Sequence, residues 1–243
     1  MSSENIRLGL EILDEALPDG VPRSSLLVLA GPGGTGKTFL ALIITKRFLL
    51  NSEPVIYVTL DDDPASIISR MNRLDVDVYS YIRNKQLMII DGFSFRIRDK
   101  KGKTHFSVVE EVDPQNPEQI LYTIIQLIDK TEIKNKGTVV IDSLNEILAY
   151  NDISKTAEFL RSLRANISKY RSILTLTILH TSIEKTVHFL STIEHIADGI
   201  ILTDQEQRDG HIVKYVVIKR MKGVKHAIDR IGFTISDKEL KKV

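Results

Sequence analysis

The chain has no cysteine and no tryptophan. Without cysteine there is no disulfide, no thiolate metal site and no cysteine nucleophile. Charge of one sign is also lacking: 33 basic and 32 acidic residues leave a net +1, so only a local basic patch would recruit nucleic acid. No apolar run approaches the roughly 18 residues of a membrane helix, and Met1-Ser2-Ser3-Glu4-Asn5 does not read as a signal peptide. These absences predict a cytoplasmic protein with no membrane insertion. No repeat or low-complexity linker divides the 243 residues, which suit one α/β domain over 1–243.

What the chain does have is the octapeptide Gly31-Pro32-Gly33-Gly34-Thr35-Gly36-Lys37-Thr38, which fits G-x-x-x-x-G-K-[ST], the phosphate-binding P-loop. An apolar run, Leu26-Leu27-Val28-Leu29-Ala30, enters it, and Phe39-Leu40-Ala41-Leu42-Ile43-Ile44 leaves it at helical spacing. Strand, glycine turn and helix are the setting the motif requires. Glycines let successive backbone N–H groups turn inward around phosphate oxygens, and the helix N-terminus adds its positive dipole end. The motif predicts a bound nucleoside triphosphate, held by residues 31–38 with Phe39 beside them. Lys37 would reach the β- and γ-phosphates and Thr38 would hold Mg²⁺.

Further along, buried-type strands alternate with helices of ten or more residues, the pattern of a parallel sheet. Leu10, Ile12, Leu13 and Leu17 suit a short helix before the loop. Val55–Leu60 reads as a strand, followed by Asp61-Asp62-Asp63 and a helix opening at Pro64 with Asp63 as its cap. Residues 98–117 are the least regular. They begin with a basic turn, 98–103, best read as solvated, and end at an Asn116 cap before Pro117. Strands over Thr138–Asp142 and Ile173–Leu179 flank a helix around 154–170. The tail reads as an antiparallel hairpin turning at Asp209-Gly210, with a last strand around Ile228–Ile235.

Asp142 ends its strand, where a carboxylate faces the ligand crevice of an open α/β sheet, and it would orient water on Mg²⁺. Asp61 and Asp62 end another strand; a catalytic role in aligning the attacking water and a solvated acidic turn weigh equally. Arg220 and Lys222 alternate onto one face of the last hairpin strand, a pattern that also suits a solvated basic edge. His180 ends a strand and reads as a structural group.

Several of these segments together resemble the KaiC-like branch of the RecA-superfamily ATPases, which includes archaeal RadA paralogues. Leu13-Asp14-Glu15-Ala16-Leu17, with Gly20-Val21-Pro22-Arg23, is similar to that family's entry to the P-loop. Ile141-Asp142-Ser143-Leu144 looks like its Walker B strand. Ile196-Ala197-Asp198-Gly199-Ile200-Ile201-Leu202 and Arg220-Met221-Lys222-Gly223 with His226 match two later motifs in the same order. The resemblance implies a RecA-like P-loop NTPase core. Its sheet is mostly parallel and twisted, with helices on both faces and an antiparallel C-terminal extension. One strand separates the P-loop strand from the Walker B strand. It also implies ATP with Mg²⁺, and a homo-oligomeric ring, usually a hexamer, in which Arg220 and Lys222 serve the neighbour's γ-phosphate.

Three departures qualify this. The family's paired Glu is here Asp61-Asp62, one methylene shorter, and a displacement of about 1 Å can cost on the order of 10²-fold, so hydrolysis is expected to be slow. Glu194-His195 stand where clock members carry their phosphorylated Ser-Thr pair, so a clock role is unsupported. The chain has no room for the helical DNA-binding domain that precedes the full recombinase. Three functions follow from the resemblance. One is a slow ATPase ring acting in DNA recombination or repair, with single-stranded DNA on pore loops including 181–192, where Lys185 and His188 are the available positive groups. Another is a nucleotide-gated signalling or motility assembly with a protein partner. The third is autophosphorylation.

Overall fold

A computed structural model describes residues 4–97, 104–208, 210–236 and 238–243. The basic run 98–103 lies outside them. The first strands, β1 (Asn5–Ile6) and β2 (Val21–Pro22), form a small separate ribbon. The main sheet is built from β3 (Leu26–Gly31), β4 (Val55–Thr59), β5 (Leu87–Asp91), β6 (Val108–Glu111), β7 (Thr138–Asp142) and β8 (Leu174–His180). It continues with β9 (Gly199–Arg208), β10 (His211–Met221), β11 (Ile231–Ile235) and β12 (Leu240–Lys242). The spatial order is β12-β11-β10-β9-β3-β8-β7-β4-β5-β6. From β9 to β6 every neighbour is parallel, and β9 to β12 are antiparallel. One strand, β8, lies between the P-loop strand β3 and the Asp142 strand β7, as the resemblance implied.

Helices cover both faces because alternate side chains of the central strands point opposite ways. Leu27 and Leu29 of β3 pack on one side with Tyr57. That side holds α1 (Glu11–Ala16), α2 (Lys37–Leu50), α3 (Pro64–Arg73) and α4 (Val78–Arg83). Leu26, Val28 and Ala30 pack on the other with α5 (Pro117–Lys130), α6 (Leu144–Tyr150), α7 (Ile153–Leu163) and α8 (Glu184–Ile193). The caps read from sequence are made: Asp63 accepts from the Ser66 N–H and Asn116 from the Gln119 N–H.

The expected helix at 154–170 is α7 continued by one π-helical stretch, Arg164–Lys169. Wide i→i+5 turns bring residues five apart into line, and Arg164 and Lys169 both reach the buried Asp198 carboxylate, at 2.8 and 3.0 Å. The last expected strand is shorter than its sequence pattern, 231–235, and is followed by β12. β6 falls in the least regular stretch, 98–117, and α4 and α6 lie where the sequence pattern predicts no element.

Candidate functional site

The loop after β3 turns at Gly34 and Gly36, both with left-handed φ (+78° and +95°), and opens α2 at Lys37. A side chain at Gly36 would be strained there, and its Cβ would lie 2.6 Å from Ile235 Cδ1. Lys37 is buried, and its ammonium donates to the carbonyls of Gly31 (2.8 Å) and Pro32 (2.6 Å). Burial pushes its pKa down to about 8, against the pull of Asp142. The lysine is therefore stowed on loop carbonyls that phosphate oxygens would outbid.

Facing the loop are the ends of three strands. The backbone N–H groups of Leu60 and Asp61 donate to the Asp142 carbonyl, which sets the two carboxylates side by side. Buried Asp142 accepts from the Tyr57 hydroxyl (2.9 Å), and the Thr38 side chain favours its charged form. Burial pushes its carboxyl up to about 6, with the Tyr57 hydrogen bond acting in the opposite direction. The Ser143 hydroxyl donates to Asp61 Oδ2 (2.6 Å), and His180 Nε2 lies 3.4 Å from the same oxygen. Asn145 pins the end of β8, donating to the His180 carbonyl and accepting from its N–H. His180, read from sequence as structural, thus stands in register with Gly31 and faces the carboxylates.

The aspartate pair is split by the structure. Asp61 faces Asp142 and His180, whereas Asp62 bonds to Arg70 (2.5 Å) and caps its own turn through the Asp63 N–H. Asp62 is thereby tied to α3. Arg220 and Lys222 lie short of the loop along the sheet: Arg220 pairs with Ile200, Ile200 with mid-strand Val28, and the P-loop begins only at Gly31. Their side chains rest on the carbonyls of Glu194 (2.7 Å) and His195 (3.3 Å), so both point to one side but not to their own chain's loop. The segment 181–192, expected as a loop, is mostly α8, and Lys185 donates to the Leu148 and Asn151 carbonyls.

Three contacts came from parts of the chain that carried no local signal. Thr203 of β9 shares a 2.6 Å hydrogen bond with Thr35, in which either hydroxyl can donate. Lys214 of β10 donates to the Gly34 carbonyl and to Gln205 (3.2 Å). Ile235 and Ser236, with Thr38, Phe39, Leu42, Arg70 and Arg73, line a groove of about 370 Å³ beside the loop. The antiparallel extension is thus one wall of the site.

A glycine loop feeding a helix, set one strand away from a carboxylate-ended strand, puts the molecule among the RecA-like P-loop proteins. Within that class the chain belongs to the KaiC ATPase family, whose model ("ATPase: KaiC") matches residues 6–242. A UPF0273 protein of Aeropyrum pernix is 27% identical over 241 residues, covering 97% of this chain and 92% of the relative. One from Thermotoga maritima is 27% identical over 242 residues, covering 97% and 94%. The crystal structure of a KaiC-like protein from Pyrococcus horikoshii superposes with TM-score 0.78 at 22% identity, covering 99% of both chains, a likeness of fold. No described helix is long and apolar enough to cross a membrane.

An ATPase domain implies a nucleotide and a divalent cation, and the residues fit both. The loop offers backbone donors and Lys37, and the hard oxygens of Thr38 and Asp142 suit Mg²⁺. Asp61 Oδ1 is buried with no hydrogen-bond partner, an acceptor that a cation or its water would satisfy.

Proposed function

We propose that the protein binds ATP with Mg²⁺ at the 31–38 loop and hydrolyses it slowly, the nucleotide serving to join copies of the chain into a ring. The observation that carries this is buried Lys37, held by loop carbonyls and facing Asp142 and Asp61. On binding, the Gly31–Thr38 backbone and Lys37 take the phosphates, and Lys214 adds a positive charge at Gly34. The base occupies the groove between Phe39, Leu42 and Ile235. Thr38 and Asp142 would hold the cation, which when bound would supply positive charge against the phosphates. Asp61 orients the attacking water, but a carboxylate shared with Ser143 and His180 is a poorly placed base, in keeping with slow turnover. Asp62, bound to Arg70, acts by fixing the turn.

Among the described residues, Arg220 and Lys222 rest on the carbonyls of Glu194 and His195 and on Asp198, away from their own loop. They suit a neighbour's γ-phosphate, and this favours the nucleotide-gated assembly over a dedicated DNA enzyme. Light scattering with Mg·ATP, Mg·ADP and no nucleotide tests the proposal. A larger species only with Mg·ATP, lost in Arg220→Ala, is expected; a size indifferent to nucleotide and to Arg220 overturns it.

A further inference from the structure

At the N-terminal ends of the parallel strands, opposite the P-loop, Arg7, Arg23, Arg47 and Asn51 line a polar cavity of about 280 Å³ together with Glu4 and Glu53. Arg23 leads into β3 and Glu53 into β4, and the six residues of β3 put about 20 Å between the cavity and the loop. Arg23 is buried. Its two terminal nitrogens fork onto Glu53 (2.6 and 3.2 Å), which also accepts the Gly137 N–H (2.7 Å). Arg47 is placed by Gly9, which has φ +77° and no side chain: a Cβ there would lie 2.4 Å from Arg47 Cγ. The arginine stem therefore passes against bare backbone, and two of the three guanidinium groups are set by the fold.

The charges around this cavity do not cancel. Glu53 is engaged by Arg23, and among the described residues no acidic side chain pairs with Arg7 or Arg47. Arg23 Nε is buried and makes no hydrogen bond, with the exposed Glu4 carboxylate 3.5 Å away. The last carbonyls of α2, which would disfavour an anion, already accept from the N–H groups of Asn51, Ser52 and Glu53. A lone carboxylate would balance one of the two uncompensated cations. A phosphate group carries about −1.5 to −2 near pH 7, and its oxygens match planar guanidinium forks. The volume is at the small end for a ligand pocket, which suits the anion itself better than a whole nucleotide. We propose that the cavity binds a small phosphate-type oxyanion, phosphate or pyrophosphate, gripped by Arg7 and Arg47 and taking the place of the Glu4 carboxylate at Arg23 Nε. Glu4 can yield because its backbone carbonyl stays bonded to the Arg23 N–H (2.9 Å) while its side chain swings into water. This site is separate from the 31–38 loop and does not rest on the nucleotide reading.

The test is equilibrium dialysis of nucleotide-free protein against labelled pyrophosphate at low salt, read as ions bound per chain. Wild type is expected to bind two, one on the loop and one in the cavity. Lys37→Ala should keep only the cavity's ion, and Arg7→Ala with Arg47→Gln should keep only the loop's. All three substitutions together should bind none. Adding Glu4→Gln to Lys37→Ala should tighten binding roughly threefold or more, because the competing charge is gone. Thermal unfolding checks that each variant is folded, and the fall from two ions to one between wild type and the arginine variant reads the site without Lys37→Ala. A folded Lys37→Ala protein that binds no pyrophosphate, or binds it equally well after both arginines are replaced, overturns the cavity site whatever the loop does. One ion in wild type, lost with the arginines but not with Lys37, supports the cavity site and counts against the nucleotide reading alone.

Discussion

Asp142 concentrates the conflict between stability and function in one side chain. Its folded pKa of about 6 lies above the ordinary 3.8 because burial disfavours the charge. A raised folded value stabilises the protein fully below the unfolded pKa, and that contribution is lost as pH rises through about 6. Without nucleotide or metal, ionised Asp142 therefore costs about 3 kcal/mol near pH 7 as an order of magnitude. Asp142→Asn keeps an acceptor for the Tyr57 hydroxyl and removes the charge. Denaturant unfolding should show it more stable than wild type at pH 7.5, by up to about 3 kcal/mol, with the gap closing below about pH 4. The same variant should lose cation-dependent nucleotide binding, the usual exchange when a strained site is relaxed. A pH-independent gap would mean that the charge is not the source. The strand-end position made Asp142 and Asp61 legible in the sequence, since carboxylates there face the crevice. It did not reveal that His180 joins them, because a lone histidine after an apolar strand has no local feature that tells structure from site.

At the scale of elements, legibility followed locality. The strand–loop–helix over 26–50 and the caps at Asp63 and Asn116 depend on neighbours in sequence, and all three are present as read. β6 has four residues, mostly exposed, and α4 six; neither is long enough to mark a period, and each exists because a strand or helix beside it supplies the partner. The wall that β9 to β11 raise against the P-loop is likewise invisible locally, because Thr203, Lys214 and Ile235 are brought to the loop from about 170 to 200 residues away in sequence, as the Thr35–Thr203 separation of 168 shows. The contact of Ile235 with Gly36 makes that wall testable. Gly36→Ala must place a side chain at φ +95°, at about 1–2 kcal/mol, and also meet Ile235. Thermal unfolding should show the single variant destabilised, and Gly36→Ala with Ile235→Ala should recover only the steric part, leaving the backbone cost. Full recovery in the double variant would show that backbone conformation contributes nothing there.

For the whole molecule, the sheet sets which sites can talk to which. By register Arg220 is level with Val28, in the middle of β3, and β-strands rise about 3.3 Å per residue, so the three residues from Val28 to Gly31 put about 10 Å between Arg220 and the start of the P-loop. An arginine resting on the Glu194 carbonyl serves a phosphate only if a second copy presents its loop. Such a contact is heterologous, one end of a subunit against the other end of the next, and repeats into a ring or a filament. It also makes activity complementable. Lys37→Ala removes the loop lysine but leaves Arg220, and Arg220→Ala does the reverse. In an equimolar mixture, about a quarter of random pairings of a loop with a neighbour's arginine are intact on both sides, and these can close on nucleotide. Each variant alone should be nearly inactive as an ATPase, and the mixture should recover activity toward about a quarter of wild type, rising and falling with the mixing ratio. If the mixture stays at the level of its parents while both variants remain folded, Arg220 does not work across the interface, and its hydrogen bond to Glu194 is structural only.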